Sequence, residues 1–206
     1  MPYIFTHGLM ETSSSWDKTF LLMENSSQFI APDLFILLNR KEVTYKNLYQ
    51  AFSDYCNSFS EPLNLCGLSL GGILALNYTI DHPTRVQSLV LIGSPYKMPK
   101  TLLKLQNTIF SLLPKSTFKN LQLQKQDFIQ LMNSMIALDF SNHLKEISCP
   151  TLILCGEKDA ANKKAATGLA KNIQNAKLQF IKNAGHEVSK KNPQDLASKL
   201  ETFYKK

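Results

Sequence analysis

Several features are scarce in this 206-residue chain, and each scarcity excludes something. No apolar run approaches the roughly 18 residues that a membrane-crossing helix needs. The first residues, "MPYIFTHG", lack the basic-then-apolar pattern of a signal peptide, which predicts a cytoplasmic protein. Only four cysteines are present and none forms a Cys-x-x-Cys pair, so zinc and dithiol motifs are unsupported. Cys56, Cys66, Cys149 and Cys155 read as buried, reduced thiols. Arginine occurs twice, as Arg40 and Arg85, although the net charge is +7. The surplus is scattered lysine with no basic run interleaved with aromatics, which predicts a solvated surface and no nucleic-acid partner.

What is present is a rhythm. Six short apolar runs recur at Tyr3–Thr6, Gln28–Ala31, Leu63–Cys66, Ser88–Ile92, Thr151–Cys155 and Leu178–Ile181. None alternates in and out, as expected of parallel strands covered on both faces. Helical patterns lie between them at Ser15–Met23, Thr44–Phe59, Leu70–Ile80, Lys163–Ile173 and Gln194–Tyr204. Strands alternating with helices predict one α/β sheet of about six parallel strands with right-handed crossovers.

One segment breaks the rhythm. From about Lys97 to Asp139 only helical spacing is found, with Leu102, Leu105 and Ile109 on one face and Phe128, Leu131 and Met135 on another. The expected organisation is a core of residues 1–96 and 146–206, with 97–145 inserted as a small helical lid.

Glycine is also rare, and its placement is informative. Seven of the eight glycines fall at or just after the carboxyl end of a proposed strand. Glycine permits tight turns and close backbone approach, and open α/β sheets place their sites at that edge. The polar residues there are His7, Ser69, Asp159 and His186. Ser69 sits in "GLSLGG", a Gly-x-Ser-x-Gly turn, and Asp159 and His186 follow in the order nucleophile, acid, base. The chemistry needs these types. A serine hydroxyl requires a base in reach, histidine titrates near neutrality, and a carboxylate fixes the imidazole tautomer. The Leu70 N–H and, after His7-Gly8, the Leu9 N–H are the candidate oxyanion donors. His7 and Gly8 are read as the support of that loop. His82 and His143 are read as surface residues.

Five motifs then carry a resemblance: "FTHGLMETSSSW", "LCGLSLGG", "DHPTRVQSLVLIGSP", "ISCPTLILCGEKD" and "NAGHEV". In this order they resemble the serine α/β-hydrolases, in particular the small lid-bearing esterase and C–C hydrolase group. The resemblance implies an α/β-hydrolase fold with Ser69 as nucleophile, His186 as base and Asp159 as acid, Glu157 being the fallback for the acid. The chain departs from that family in starting directly in the His-Gly strand, without the usual antiparallel pair before it. "APDLFILLN" replaces the usual glycine-rich turn, and Asp33 matches only its start.

The expected function is hydrolysis of a carboxylic ester or thioester of a small, partly apolar substrate through an acyl-enzyme, with no cofactor and no metal. C–C bond hydrolysis or lysis, and a ligand-binding protein of this fold without turnover, are the alternatives. Six lysines against one acidic residue between Lys97 and Leu138 could draw an anionic substrate, although a solvated outer face explains them as well.

Overall fold

The computed structural model describes residues 1–24, 26–98 and 123–205. Its frame is one six-stranded sheet with every neighbouring pair parallel. The strands are β1 (Tyr3–Thr6), β2 (Phe29–Ile30), β3 (Leu63–Leu68), β4 (Val86–Ile92), β5 (Thr151–Gly156) and β6 (Ala176–Ile181), in the spatial order β2-β1-β3-β4-β5-β6.

The missing in-out alternation has a direct cause. Successive strand residues do alternate, but between two apolar layers. Ile4, Leu65, Leu89, Leu91 and Ile153 enter the larger core. Their neighbours Phe5, Cys66, Val90, Ile92 and Leu152 enter the other. The edges depart from this expectation. β6 exposes Lys177 and Phe180 because no strand lies beyond it. β2 keeps two residues of an expected four, since Pro32 follows and cannot donate to a ladder.

The helices are α1 (Asp17–Phe20), α2 (Leu34–Leu37), α3 (Tyr45–Asn57), α4 (Leu70–Asp81), α5 (Lys125–Met135), α6 (Ala160–Asn172), α7 (Val188–Lys191) and α8 (Pro193–Tyr204). Caps set several starts. Thr44 Oγ1 accepts the Asn47 N–H at 3.2 Å, and the Asn192 side chain accepts the Asp195 N–H at 3.1 Å. α1 is shorter than the Ser15–Met23 pattern because Ser13–Trp16 forms a tighter 3-10 turn. Thr12 and Ser14 hydroxyls bond there at 2.8 Å, the local pairing by which such residues compete with helix. The four-residue helices α2 and α7 are too short to show a period. α4 is buried nearly all round, as its composition predicts.

The segment from 97 to 145 joins β4 to β5. Its expected first helix, around Leu102–Leu113, lies outside the described residues. Its second is α5, with Phe128, Leu131, Met132 and Met135 buried and the Ser134 hydroxyl accepting the Tyr45 N–H at 2.8 Å. Where strand pairing was not expected, the two ends of the segment meet. Lys97 and Asp139 form an isolated antiparallel bridge, flanked by Met98 N–H to Leu138 O at 3.0 Å and Phe140 N–H to Tyr96 O at 2.8 Å. Their side chains pair across it at 2.6 Å. All four cysteines are buried and free. His143 is exposed as expected, whereas His82 is half-buried, 4.5 Å from the Tyr78 ring.

Gly67 shows how tightly β3 meets α4. A Cβ there would lie 2.4 Å from both the Gly71 carbonyl carbon and the Gly72 nitrogen, which are backbone and cannot swing away. Gly67→Ala is therefore expected to cost about 3 kcal/mol or more. Thermal unfolding should then fall by roughly 6–12 °C for a domain of this size.

Candidate active site

The strand order decides where a site can form. The chain runs from β1 outward to β2, then returns to the other side of β1 for β3. Adjacent loops at the carboxyl ends of β1 and β3 therefore leave the sheet in opposite directions and open a crevice. His7-Gly8-Leu9 follows β1 and Ser69 follows β3. A cavity of about 410 Å³ lies there, and its described walls include Gly8, Leu9, Ser69, Leu70, Asp159 and His186.

Ser69 has φ 53° and ψ −114°, in the left-handed half of backbone space. A non-glycine residue in so sparsely populated a region costs about 1–3 kcal/mol and persists only where the surroundings hold it. Here the Ser69 N–H donates to Ile92 O of β4 at 2.8 Å, and its carbonyl accepts the Ile73 N–H of α4 at 3.0 Å. Leu70 is the first residue of α4, so its N–H has no intrahelical acceptor. The positive end of the helix dipole faces the same space.

Asp159 does two jobs at once. It caps α6, its Oδ1 accepting the Asn162 N–H at 3.3 Å, and its Oδ2 lies 2.9 Å from His186 Nδ1. Burial alone would raise its pKa. Hydrogen bonds from His186 and Asn162 outweigh that and hold the carboxyl below its usual range. The same bond to Asp159, working against burial, lifts His186 above the usual histidine value. With Nδ1–H committed to Asp159, Nε2 is the basic nitrogen. No hydrogen bond joins Ser69 Oγ to His186 among the described residues; the two share the cavity wall.

Gly93, at φ +54°, sits under this pair. A Cβ there would come 3.0 Å from His186 Nδ1 and 3.4 Å from Asp159 Oδ2. His7 is fully buried and neutral. Its Nδ1–H donates to Gly8 O at 2.8 Å and its Nε2 accepts the Leu34 N–H at 3.1 Å, while burial pushes its pKa down. These two bonds join the loop after β1 to the start of α2. The fallback acid is spent elsewhere: Glu157 accepts the Asn183 N–H at 2.9 Å.

Three polar residues on the wall were not anticipated: Glu11, Asn162 and Glu187. Asn162 had a usable signal, three positions after Asp159 in a helix start. Its Nδ2 lies 3.0 and 2.9 Å from the two Asp159 oxygens and 3.2 Å from His186 Nδ1. Glu11 and Glu187 had none, since a glutamate beside a turn is ordinarily solvated. Apolar walls come from Ile73, Met98, Met132 and Met135. Neither arginine lines the cavity. Arg85 donates instead to the Ser60 carbonyl at 3.0 Å and to the Phe59 carbonyl. Among the described residues no group of three or more His, Cys, Asp or Glu is placed to hold a metal ion. No helix there is long and apolar enough to cross a membrane.

A model described as the alpha/beta hydrolase family matches residues 3–199. The chain belongs to that family. Among curated relatives, a pimeloyl-[acyl-carrier protein] methyl ester esterase of Legionella pneumophila is 26% identical over 90% of this chain and 87% of its own length. Mouse monoacylglycerol lipase ABHD6 is 24% identical, but the chain spans only 48% of that protein. Among solved structures, an esterase from Exiguobacterium antarcticum superposes with a TM-score of 0.81 at 16% identity, covering 100% of this chain and 92% of that one. MenH from S. aureus gives 0.78 at 18% identity, covering 100% and 93%. At such identities these superpositions establish the fold of this hydrolase-family chain.

The ion pair makes stability pH-dependent with a definite sign. His186 is raised in the fold, so its contribution is complete below 6.5 and lost as pH climbs through the raised value. Asp159 is lowered, so its contribution is present above 3.8 and lost as pH falls through the depressed value. Asp159→Asn should lower the His186 pKa, read from its ring-proton NMR titration. The stability difference from the native chain should be largest between 3.8 and 6.5.

Proposed function

We propose that this chain hydrolyses carboxylic esters through an acyl-enzyme, with Ser69 as nucleophile, His186 as base and Asp159 as the acid that orients it. The observation that carries this reading is the left-handed Ser69 turn, which shares a cavity with a 2.9 Å His186–Asp159 bond. A relaxed turn serine would have no reason to hold that conformation. Ser69 Oγ attacks the ester carbonyl and His186 Nε2 takes its proton. The tetrahedral oxyanion is received by the Leu9 and Leu70 N–H groups. Collapse expels the alcohol, protonated by His186, and water deacylates by the same route in reverse order.

The cavity is near the small end of ligand pockets. Methionine-rich walls adapt to linear apolar groups, which suits an acyl chain. α5 acts as part of the lid, supplying Met132 and Met135 to the cavity. The names of the Legionella and mouse relatives, both ester hydrolases, support this substrate class. A thioester fits the same machinery. C–C cleavage of a carboxylate-bearing substrate fits less well, because no arginine lines the described walls.

The test is a fluorophosphonate probe applied to native protein and to Ser69→Ala, beside p-nitrophenyl esters of increasing acyl length. Native protein should label and Ser69→Ala should not, with turnover falling at least about 10⁴-fold. Each methylene is worth about 0.8 kcal/mol on burial. The native kcat/KM should therefore rise up to about fourfold per carbon until the cavity is full. Its acid limb should lie above 6.5, since His186 must be neutral to act and its pKa is raised. Absence of labelling would overturn the activated serine. Labelling without turnover of any ester would favour a ligand-binding protein.

A further inference from the structure

Glu11 is a buried carboxylate that the mechanism above does not use. It is 9% exposed, in the turn after His7-Gly8. Its Oε2 accepts the Gly8 N–H at 3.1 Å, and its own backbone N–H donates to Gly8 O at 3.2 Å. Gly8 O also receives His7 Nδ1–H at 2.8 Å. These bonds hold the two peptide planes on either side of the Gly8 Cα. The second plane contains Gly8 C=O and Leu9 N–H, which point in opposite directions because the peptide is planar and trans. Whatever holds Gly8 O therefore aims Leu9 N–H. The carboxylate also fills the space beside Gly8: a Cβ there would lie 3.2 Å from Glu11 Oε2 and 3.6 Å from Ser69 Cβ.

The other oxygen faces a second loop. Glu11 Oε1 has no hydrogen bond among the described residues and lies 3.4 Å from Lys190 Nζ. Lys190 belongs to α7, which begins two residues after His186, and its Nζ also pairs with Glu187 Oε1 at 2.6 Å. One lysine thus faces two carboxylates from the two loops that flank Ser69.

We propose that Glu11 is the positioning residue of the oxyanion loop, and that Lys190 both ties this loop to the His186 loop and offsets its charge beside the developing oxyanion. This rests on the reading of Ser69, Leu9 and His186 given above. A buried carboxylate next to an oxyanion opposes it unless compensated, which is why the lysine belongs to the device. The groups acting on His186 are Asp159 at the cap of α6, Asn162 within that helix, Glu11 from the β1 loop and Glu187 from its own segment, and Lys190 pairs with the last two carboxylates.

Three variants of the full chain test this: Glu11→Ala, Glu11→Gln and Lys190→Met, each assayed for ester turnover across pH. Glu11→Ala keeps the backbone bond to Gly8 O but frees the Gly8 N–H, so the loop can turn about the Gly8 Cα; it should lose about 100-fold in kcat with KM within roughly threefold, the signature of one misaligned oxyanion donor. Glu11→Gln, whose amide oxygen can still accept the Gly8 N–H, should stay within about tenfold. Removing its negative charge should move the acid limb to lower pH. Lys190→Met leaves the carboxylates uncompensated and should move that limb to higher pH. Opposite shifts are not expected of a purely structural role, and they decide the matter even if Glu11→Ala fails to fold. Unchanged kcat in Glu11→Ala, or limbs that stay put or move together, overturns the proposal while native turnover leaves the ester-hydrolase reading standing. Native protein that neither labels nor turns over sinks both.

Discussion

The left-handed turn at Ser69 is held from three sides, and most of the active edge follows from it. β4 accepts its N–H through Ile92 O, α4 starts on its carbonyl, and Gly67 lets helix and strand approach too closely for any Cβ. Because β3 is flanked by β1 and β4, the turn cannot relax without breaking both cores. Its strain is of the order of 1–3 kcal/mol, small beside the burial of α4 and three central strands. The fold can carry that cost, and Ser69 lines the cavity at the crevice its strand order creates.

Around that hydroxyl the electrostatics are divided by environment. His7 and His186 lie at the same edge but behave oppositely. His7 is fully buried, so desolvation prevails over its backbone bond to Gly8 and over Asp33, 3.7 Å away, and its pKa falls. His186 keeps 42% of its side chain exposed and faces a carboxylate, so its bond to Asp159 prevails and its pKa rises. Asp159 remains ionised despite burial because three donors converge on it: the Asn162 backbone, the Asn162 amide and the His186 ring. One imidazole is thereby a brace and the other is free to titrate.

The cavity wall also revises what composition implied about the substrate. A net charge of +7 and a lysine-rich insertion invite the idea of an anionic ligand. Among the described residues, however, the cavity is lined by Glu11, Asp159 and Glu187 and by no lysine or arginine. Lys190 pairs with Glu11 and Glu187. Surface charge and site charge have different signs here because lysine stems keep their ammonium groups in water.

By itself, the sequence determined the six strands, the central buried helix and the order Ser69, Asp159, His186. Those depend on local periodicity and on glycines at strand ends, and both are visible one residue at a time. The strand order, by contrast, is a matter of which neighbours pair, and it put Gly8 beside Ser69. Glu11 and Glu187 were invisible for the same reason, whereas Asn162 was legible from its place three residues after Asp159. Glu11 meets the His186 segment through Lys190, and Asn162 reaches the His186 ring, only once these loops are packed together. The Lys97–Asp139 closure joins residues forty-two positions apart, and no short pattern encodes such a pairing. Periodicity sets which face of an element is apolar. Only the packed chain decides which loops meet and which polar group is left facing another.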